Sequence, residues 1–260
     1  MLLINTRPES RATALTQALH IADPQLQVLN LPLLELTALP WSTLLAEQFT
    51  ELTQVDIIVA VSPTAVELGM QGLTKSGILL KQLKQIEWIA VGQKTAECLA
   101  HYGINSHVPD IETSEGMLSL PVLQNAEGLR SVAFWRGIGG REFMMQQLQA
   151  SGVHVLNMVL YQRKCPMSSA EYLKNHINLL YAQEKYAILI SSEASWRNWL
   201  ALIDSQELIE KGCYLVLGTR VHALLEMYAG QHQLNFQVIL LEDLQPVSIQ
   251  QALAIVQESL

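Results

Sequence analysis

The side chains best placed for chemistry in this chain stand in short polar turns or on one unusual strand. The stretch RGIGGR, residues 136 to 141, follows an apolar run, and glycine-rich turns of this kind let backbone approach an anion closely. It lacks the GxGxxG register and the lysine of a Walker loop, and no acidic residue follows at the spacing a dinucleotide site requires, so nucleotide binding is disfavoured. Thr6, Ser62 and Ser192 stand where a hydroxyl can cap a helix, and Pro8 and Pro63 suit a first turn because they have no N–H to lose. A further pair of stretches, LQVLNLPLLELT from residue 26 and VHVLNMVLYQRK from residue 153, share a Val-Leu-Asn triplet and then diverge. Where one has Leu34 and Leu36, the other has Tyr161 and Arg163, so a phenol and a cation appear on one strand only.

Metal and disulfide chemistry have no such support. Cys98, Cys165 and Cys213 are isolated and form no CxxC, and the histidines show no HxxxH or HExxH spacing. Structural thiols in a reducing compartment are expected, and no metal is implied.

The elements that must position these residues follow an alternating pattern. Apolar runs at residues 2–6, 57–61, 88–91, 131–135, 187–191, 214–217 and 236–241 read as buried strands. Helical periodicity follows most of them, over Pro8–His20, Pro63–Met70, Lys94–Tyr102, Ser114–Leu123, Arg141–Ser151, Glu193–Ile203, Arg220–Tyr228 and Pro246–Glu258. Methionines in FMMQQLQ and ALLEMYA fall at helical spacing and are expected in the core. The pattern predicts an α/β protein with parallel sheets.

The chain is also written twice. VAVSPTAV echoes LISSEASW, and IAVGQKTAECLAHYG echoes LVLGTRVHALLEMYA, each half a chain apart, which predicts an internally duplicated α/β unit. Two topologies fit. Either each copy is a domain with a boundary near Asn125–Leu129, or the two Val-Leu-Asn stretches are a shared linker and each lobe holds pieces of both copies.

Half of the 260 residues are apolar and only 15% are charged, which suits one large or two modest folded domains. The formal net charge of −8, with no basic stripe, argues against nucleic-acid binding. Arg7 and Pro8 precede any apolar stretch suited to a signal peptide, and no later run approaches a membrane span, so a soluble cytoplasmic protein is expected.

Taken in order, LLINTRPES, LNLPLLEL, VSPTAV, AVGQKTAECLAHYGI, SEGML, WRGIGGREFMMQQLQASGVHV and VLYQR resemble the uroporphyrinogen-III synthase family over most of the chain. The resemblance implies two flavodoxin-like parallel-sheet lobes joined by a two-stranded antiparallel β linker, which selects the second topology. Residues 1–28 and 167–260 would form one lobe, 38–152 the other, and 29–37 with 153–166 the linker strands. It implies a cofactor-free lyase, a monomer of porphyrin and heme biosynthesis. Such an enzyme would cyclise the linear tetrapyrrole hydroxymethylbilane, handed over by the preceding deaminase, to uroporphyrinogen III in a cleft between lobes. Water is lost, and ring D inverts through a spiro intermediate.

The resemblance also assigns residues. Tyr161 matches the family's linker tyrosine, a candidate acid for departure of the hydroxyl; a phenol, with an intrinsic value near about 10, donates only weakly at neutral pH. An acidic protein must bind a polycarboxylate through local positive potential, and helix N-termini supply this without charged side chains. Substrate-binding candidates are therefore Arg7, Ser62, Thr95, Arg136, Arg141, Ser192 and Thr219. Ser62 and Ser192 can cap their helices and touch a ligand as well. Arg7 is a cleft cation or a surface residue, and Arg141 a ligand contact or a solvated first-turn residue. Thr95 matches the family's GxxT threonine, whereas the second copy has Val221 there, so Thr219 is the candidate to take over. Three rivals stand beside the enzyme: a non-catalytic two-lobed tetrapyrrole or polyanion binder, a periplasmic-type solute receptor, and a nucleotide-dependent enzyme.

Overall fold

The computed structural model describes residues 1–124, 128–140 and 142–258. The chain divides into two compact units, Met1–Glu35 with Lys164–Leu260, and Leu36–Arg163. Strand β1 (Leu2–Asn5), helix α1 (Glu9–Ala22) and strand β2 (Gln27–Asn30) open the first unit. The second runs through β3 (Glu35–Ala38), α2 (Thr43–Glu51), β4 (Ile57–Ala60), α3 (Pro63–Lys75), β5 (Glu87–Ala90), α4 (Gln93–Ala100), α5 (Ser114–Leu118), α6 (Pro121–Gln124), β6 (Ser131–Gly137), α7 (Phe143–Ala150) and β7 (His154–Lys164). The chain then completes the first unit with α8 (Met167–Tyr181), β8 (Tyr186–Ile190), α9 (Glu193–Leu202), α10 (Gln206–Lys211), β9 (Gly212–Leu217), α11 (Thr219–His232), β10 (Gln237–Leu241) and α12 (Pro246–Glu258).

The first unit's sheet has the order β10-β9-β8-β1-β2, and every adjacent pair is parallel. In the second the order is β3-β7-β6-β4-β5, with β7-β6, β6-β4 and β4-β5 parallel. Strands such as LLIN, IIVA and YAILI are apolar throughout because helices cover both faces of a parallel sheet. Alternation then divides each strand between two cores. Leu2 and Ile4 join Ile188, Trp196, Trp199 and Tyr214 on one face, while Leu3 joins Leu15, Leu19, Ile249 and Leu253 on the other. In the second unit, Ile58, Ala60 and Trp135 pack with Phe49, and Ile57, Val59 and Phe134 pack with Met144 and Leu148. Each large side chain so buried contributes about 1.5–3 kcal/mol.

Several elements differ from the sequence expectation. The helix expected over Ser114–Leu123 is two short pieces, the second opened by Pro121, whose ring cannot continue a preceding turn. Thr6 does not cap α1: it is buried, and its hydroxyl donates to the Leu189 carbonyl, while Pro8 takes the cap position without a side-chain hydrogen bond. The sequence pattern does not announce helices α2, α8 and α10, and Met227 of ALLEMYA, expected in the core, is exposed on α11, whose buried side is formed by Val221 and Leu225. α8 packs Leu173 and Leu180 inward but begins after Pro166 with no capping side chain to announce it. Pro63 and Ser62 do stand at the first turn and cap of α3, and Ser192 caps α9.

All three cysteines are free, and burial pushes each thiol's pKa up, which suppresses thiolate chemistry. Among the described residues no helix is long and apolar enough to cross a membrane, and no cluster of His, Cys, Asp or Glu could hold a metal ion.

Candidate functional site

In the second unit, the carboxyl ends of four neighbouring strands converge on one cavity of about 410 Å³. Val61 follows β4, Val91 follows β5, Arg136 and Gly137 end β6, and Tyr161 and Arg163 stand near the end of β7. Helix-covered parallel sheets bind ligands at such strand ends, where the loops leave the sheet and backbone groups are free to face a ligand. Glu112, Thr113 and Ser114 form a further wall, and Gly139 and Gly140 come from the RGIGG turn.

Tyr161 reaches this cavity through an irregularity. β6 and β7 pair in register at Trp135–Met158 and Arg136–Val159, and then a residue of β7 is skipped so that Gly137 faces Tyr161. Leu156, Met158 and Leu160 keep the inward side of β7, and the skipped residue brings Tyr161 into the same core although it follows Leu160 directly. A bulge re-aims a side chain in this way without ending the strand. The Ile138 N–H donates to the Tyr161 carbonyl at 2.7 Å and fixes the backbone there. Gly137 leaves room for the ring: a Cβ on it would lie 2.5 Å from Cε2 of Tyr161.

The phenol is almost fully buried, at 2% exposure, and its oxygen lies 2.9 Å from Ser62 Oγ. Ser62 also accepts the Ala65 N–H at 3.1 Å, as the cap of α3. On the other side, the exposed Arg163 guanidinium stands 5.9 Å from the centre of the Tyr161 ring. The cavity thus combines a phenol, a helix N-terminus behind it and a cation beside it.

Arg136 also lines the cavity, but its guanidinium is turned into its own loop. It is 5% exposed, donates to the Gly139 carbonyl, and reaches Glu142 Oε1 and Met145 Sδ, each at 3.5 Å. One consequence is that the arginine holds the RGIGG turn in shape. Glu112, which the sequence reading did not single out, accepts the Gln93 N–H at 2.9 Å at the uncapped start of α4, and its carboxyl packs directly on Gly92. The SEGML segment that follows it was the one available signal. Thr95 is buried in the first turn of α4 and is not part of the cavity lining. Arg141 lies outside the described residues.

The remaining candidates belong to the first unit, again at strand ends. Arg7 follows β1, half-buried; burial lowers its pKa, and the neighbouring Arg11 lowers it further. Ser192 follows β8 and shares a reciprocal cap with Ser195. Thr219 opens α11, exposed, after Gly218, whose φ of +86° is the left-handed region that glycine tolerates. Val221 is buried in the core behind it.

Fold and cavity together define a two-unit α/β protein with a phenol-bearing site at parallel strand ends. The chain belongs to the family described as uroporphyrinogen-III synthase HemD, whose model matches residues 16–234. It is 34% identical over 166 residues to the uroporphyrinogen-III synthase of Salmonella typhimurium, covering 63% of this chain and 65% of the relative. With the Escherichia coli uroporphyrinogen-III synthase the identity is 33% over 138 residues, covering 52% of this chain and 54% of the relative. The matched stretches therefore span roughly half to two-thirds of those relatives' length. A mutant uroporphyrinogen III synthase from Thermus thermophilus has the same fold, with a TM-score of 0.61 at 19% identity and 99% of both chains covered. The uroporphyrinogen-III synthetase of Helicobacter pylori has a TM-score of 0.57 at 16% identity, covering 97% of this chain and 98% of its own.

Proposed function

We propose that this chain cyclises hydroxymethylbilane to uroporphyrinogen III with loss of water and inversion of ring D, and that Tyr161 is its acid. Family membership supports the reaction. The observation that carries the role of Tyr161 is a nearly buried phenol lining the cavity at the strand ends, with Ser62 at 2.9 Å.

In this reading, the phenol gives its proton to the terminal hydroxyl as the C–O bond breaks, and water leaves. The adjacent pyrrole nitrogen supplies the electron pair, which leaves an azafulvenium carbon. The substituted carbon of ring D attacks it to form the spiro intermediate, which rearranges to the inverted macrocycle. The proton finally released from the ring restores the phenol. The hydroxymethyl compound closes unaided to the wrong isomer, so much of the enzyme's task is holding the chain in the productive conformation.

Binding of a polycarboxylate to a chain of net charge −8 needs local positive potential, which Arg163 supplies on the exposed side of the cavity. Arg7, Ser62, Thr95, Arg136, Arg141, Ser192 and Thr219 remain substrate-binding proposals, Ser62 through the backbone of the turn where it caps α3 and Thr95 from the first turn of α4, since helix N-termini favour anions. The duplicated, flavodoxin-like description belongs to the same proposal: numbered within the first unit alone, its strand order becomes 2-1-3-4-5.

The test is direct. Purified protein given hydroxymethylbilane is expected to yield the type III isomer, and production of only the symmetric type I isomer at the uncatalysed rate would sink the reading in favour of a non-catalytic binder. Tyr161→Phe is expected to lower turnover by about 10²-fold, the lower end for a positioned general acid.

A further inference from the structure

We infer that Ser62 is a positioning residue for Tyr161, donating its only O–H to the phenol oxygen so that the phenol's own proton is directed into the cavity. The assignment rests on the reading of Tyr161 as the acid and adds a second residue to it.

The argument begins with the valences of a serine hydroxyl, which has one proton to donate and two lone pairs that accept. One lone pair is committed to the Ala65 N–H at 3.1 Å, since Ser62 caps α3. The close contact to Tyr161 at 2.9 Å admits either direction of donation. If the phenol donated, its single proton would point at Ser62, which is not part of the cavity lining, and none would remain for a substrate. If Ser62 donates, the phenol oxygen keeps its proton free on the side that lines the cavity.

Two physical effects favour donation by Ser62. A hydroxyl that accepts a hydrogen bond becomes a stronger donor, because successive bonds polarise one another. The positive end of α3, a helix of 13 residues, lies at the same oxygen and draws electron density from its O–H. Negative charge appearing on the phenol as its proton departs would meet this donor on one side and the Arg163 guanidinium, 5.9 Å from the ring, on the other. The arrangement requires the ring to be held still. Gly137 permits this, because its missing Cβ leaves the space the ring edge occupies.

The test compares Ser62→Gly, Ser62→Thr, Tyr161→Phe and the Ser62→Gly/Tyr161→Phe pair, with isomer-resolved kinetics on hydroxymethylbilane. Glycine keeps most of the cap while removing the hydroxyl, and threonine keeps the hydroxyl. Ser42→Ala serves as the control for cap loss alone: Ser42 caps α2 by accepting the Leu45 N–H at 3.2 Å, away from the cavity lining. The expected result is a fall in kcat of about tenfold or more in Ser62→Gly with KM within about twofold, the size of one hydrogen bond to a developing charge. Ser62→Thr should recover most of it, the double variant should be no slower than Tyr161→Phe alone, and Ser42→Ala should lower Tm without touching kcat. Wild-type kcat in Ser62→Gly alongside a slow Tyr161→Phe would overturn the inference and leave the acid standing. Multiplying losses in the double variant would also overturn it, because Ser62 would then act independently. Wild-type turnover in Tyr161→Phe would remove the acid itself, and this assignment with it.

Discussion

Two serine turns in this chain have nearly the same backbone and different uses for the same hydroxyl. Ser62 has φ −170° and ψ 160°, Ser192 has φ −159° and ψ 157°, and each caps the helix that follows its strand. Three positions on, α9 has Ser195, whose hydroxyl lies 3.0 Å from Ser192 Oγ and also accepts the Ser192 N–H, so the cap is closed on itself. The matching position in α3 is Ala65, which has no side-chain group to offer. Its methyl group leaves the spare bond of Ser62 available, and Tyr161 takes it. The lesson is that a helix cap uses only part of a serine's capacity, and the third residue of the helix decides whether the remainder stays local or reaches across the fold.

The strongest way to break this contrast is to move the phenol. Gly137→Ala places a Cβ at 2.5, 2.7 and 2.9 Å from three atoms of the Tyr161 ring. The ring cannot simply swing aside, because it is buried with Leu160 and Trp135 in one core and its carbonyl is held by Ile138. A loss of about 1–3 kcal/mol of stability is expected from overpacking. Turnover should fall toward that of Tyr161→Phe, measured on protein that thermal denaturation shows to be folded.

A subtler substitution converts one turn into the other. Ala65→Ser writes the Ser192–Ser195 arrangement into α3 and gives the Ser62 hydroxyl a local competitor. Turnover should fall about three- to tenfold, the scale of one redirected hydrogen bond, with little change in Tm. Unchanged turnover would mean that the residue at this position does not govern the partner of Ser62.

These substitutions also mark what could be read from the sequence. The buried strands were legible because a parallel sheet covered on both faces needs near-continuous apolar runs, as in IIVA and SVAFW. The caps at Ser62 and Ser192 were legible because hydroxyl and proline act within a few residues. Helix α8 was not, since its buried Leu173 and Leu180 are diluted by polar residues and its start lacks a side-chain cap. Thr6 misled for a different reason: its buried hydroxyl donates across the sheet to the Leu189 carbonyl of β8, and Pro8 takes the cap position of α1. In the site, Tyr161, Arg136 and Ser62 each stand out in the sequence on their own. Their relation was invisible, because Ser62 and Tyr161 are 99 positions apart and the bulge that turns the phenol depends on the register of β7 against β6. Glu112 was missed because an exposed glutamate becomes informative only when the N–H it accepts is known.

The two units also differ at the opposite ends of their sheets, and pH should separate them. In the second unit, Asp56 joins β4 to the start of β6 by accepting the Arg130 and Ser131 N–H groups at 2.8 and 2.9 Å. Burial alone would raise its carboxyl pKa, but these bonds, the Arg130 charge and the Ser131 hydroxyl outweigh it, and the net shift is downward. A carboxyl depressed in the folded state adds stability that is present above its unfolded value, near about 4, and lost as pH falls through the folded value. The first unit instead buries Tyr186 and Tyr214, which donate to the Leu208 and Ile209 carbonyls. Burial raises both phenols, so their contribution is complete below the ordinary value, near about 10, and is lost as pH rises beyond it. Asp56→Asn should therefore flatten the acid side of a Tm-against-pH curve and leave the alkaline side in place, while Tyr186→Phe should flatten the alkaline side alone. At neutral pH the Asp56 substitution should have the smallest effect of the series, because both N–H groups bond to the same carboxylate oxygen, Oδ2, whose place the amide oxygen can take. An acid side that keeps its slope in Asp56→Asn would show that the sheet end is held by its backbone pairing, with no contribution from the carboxylate's charge.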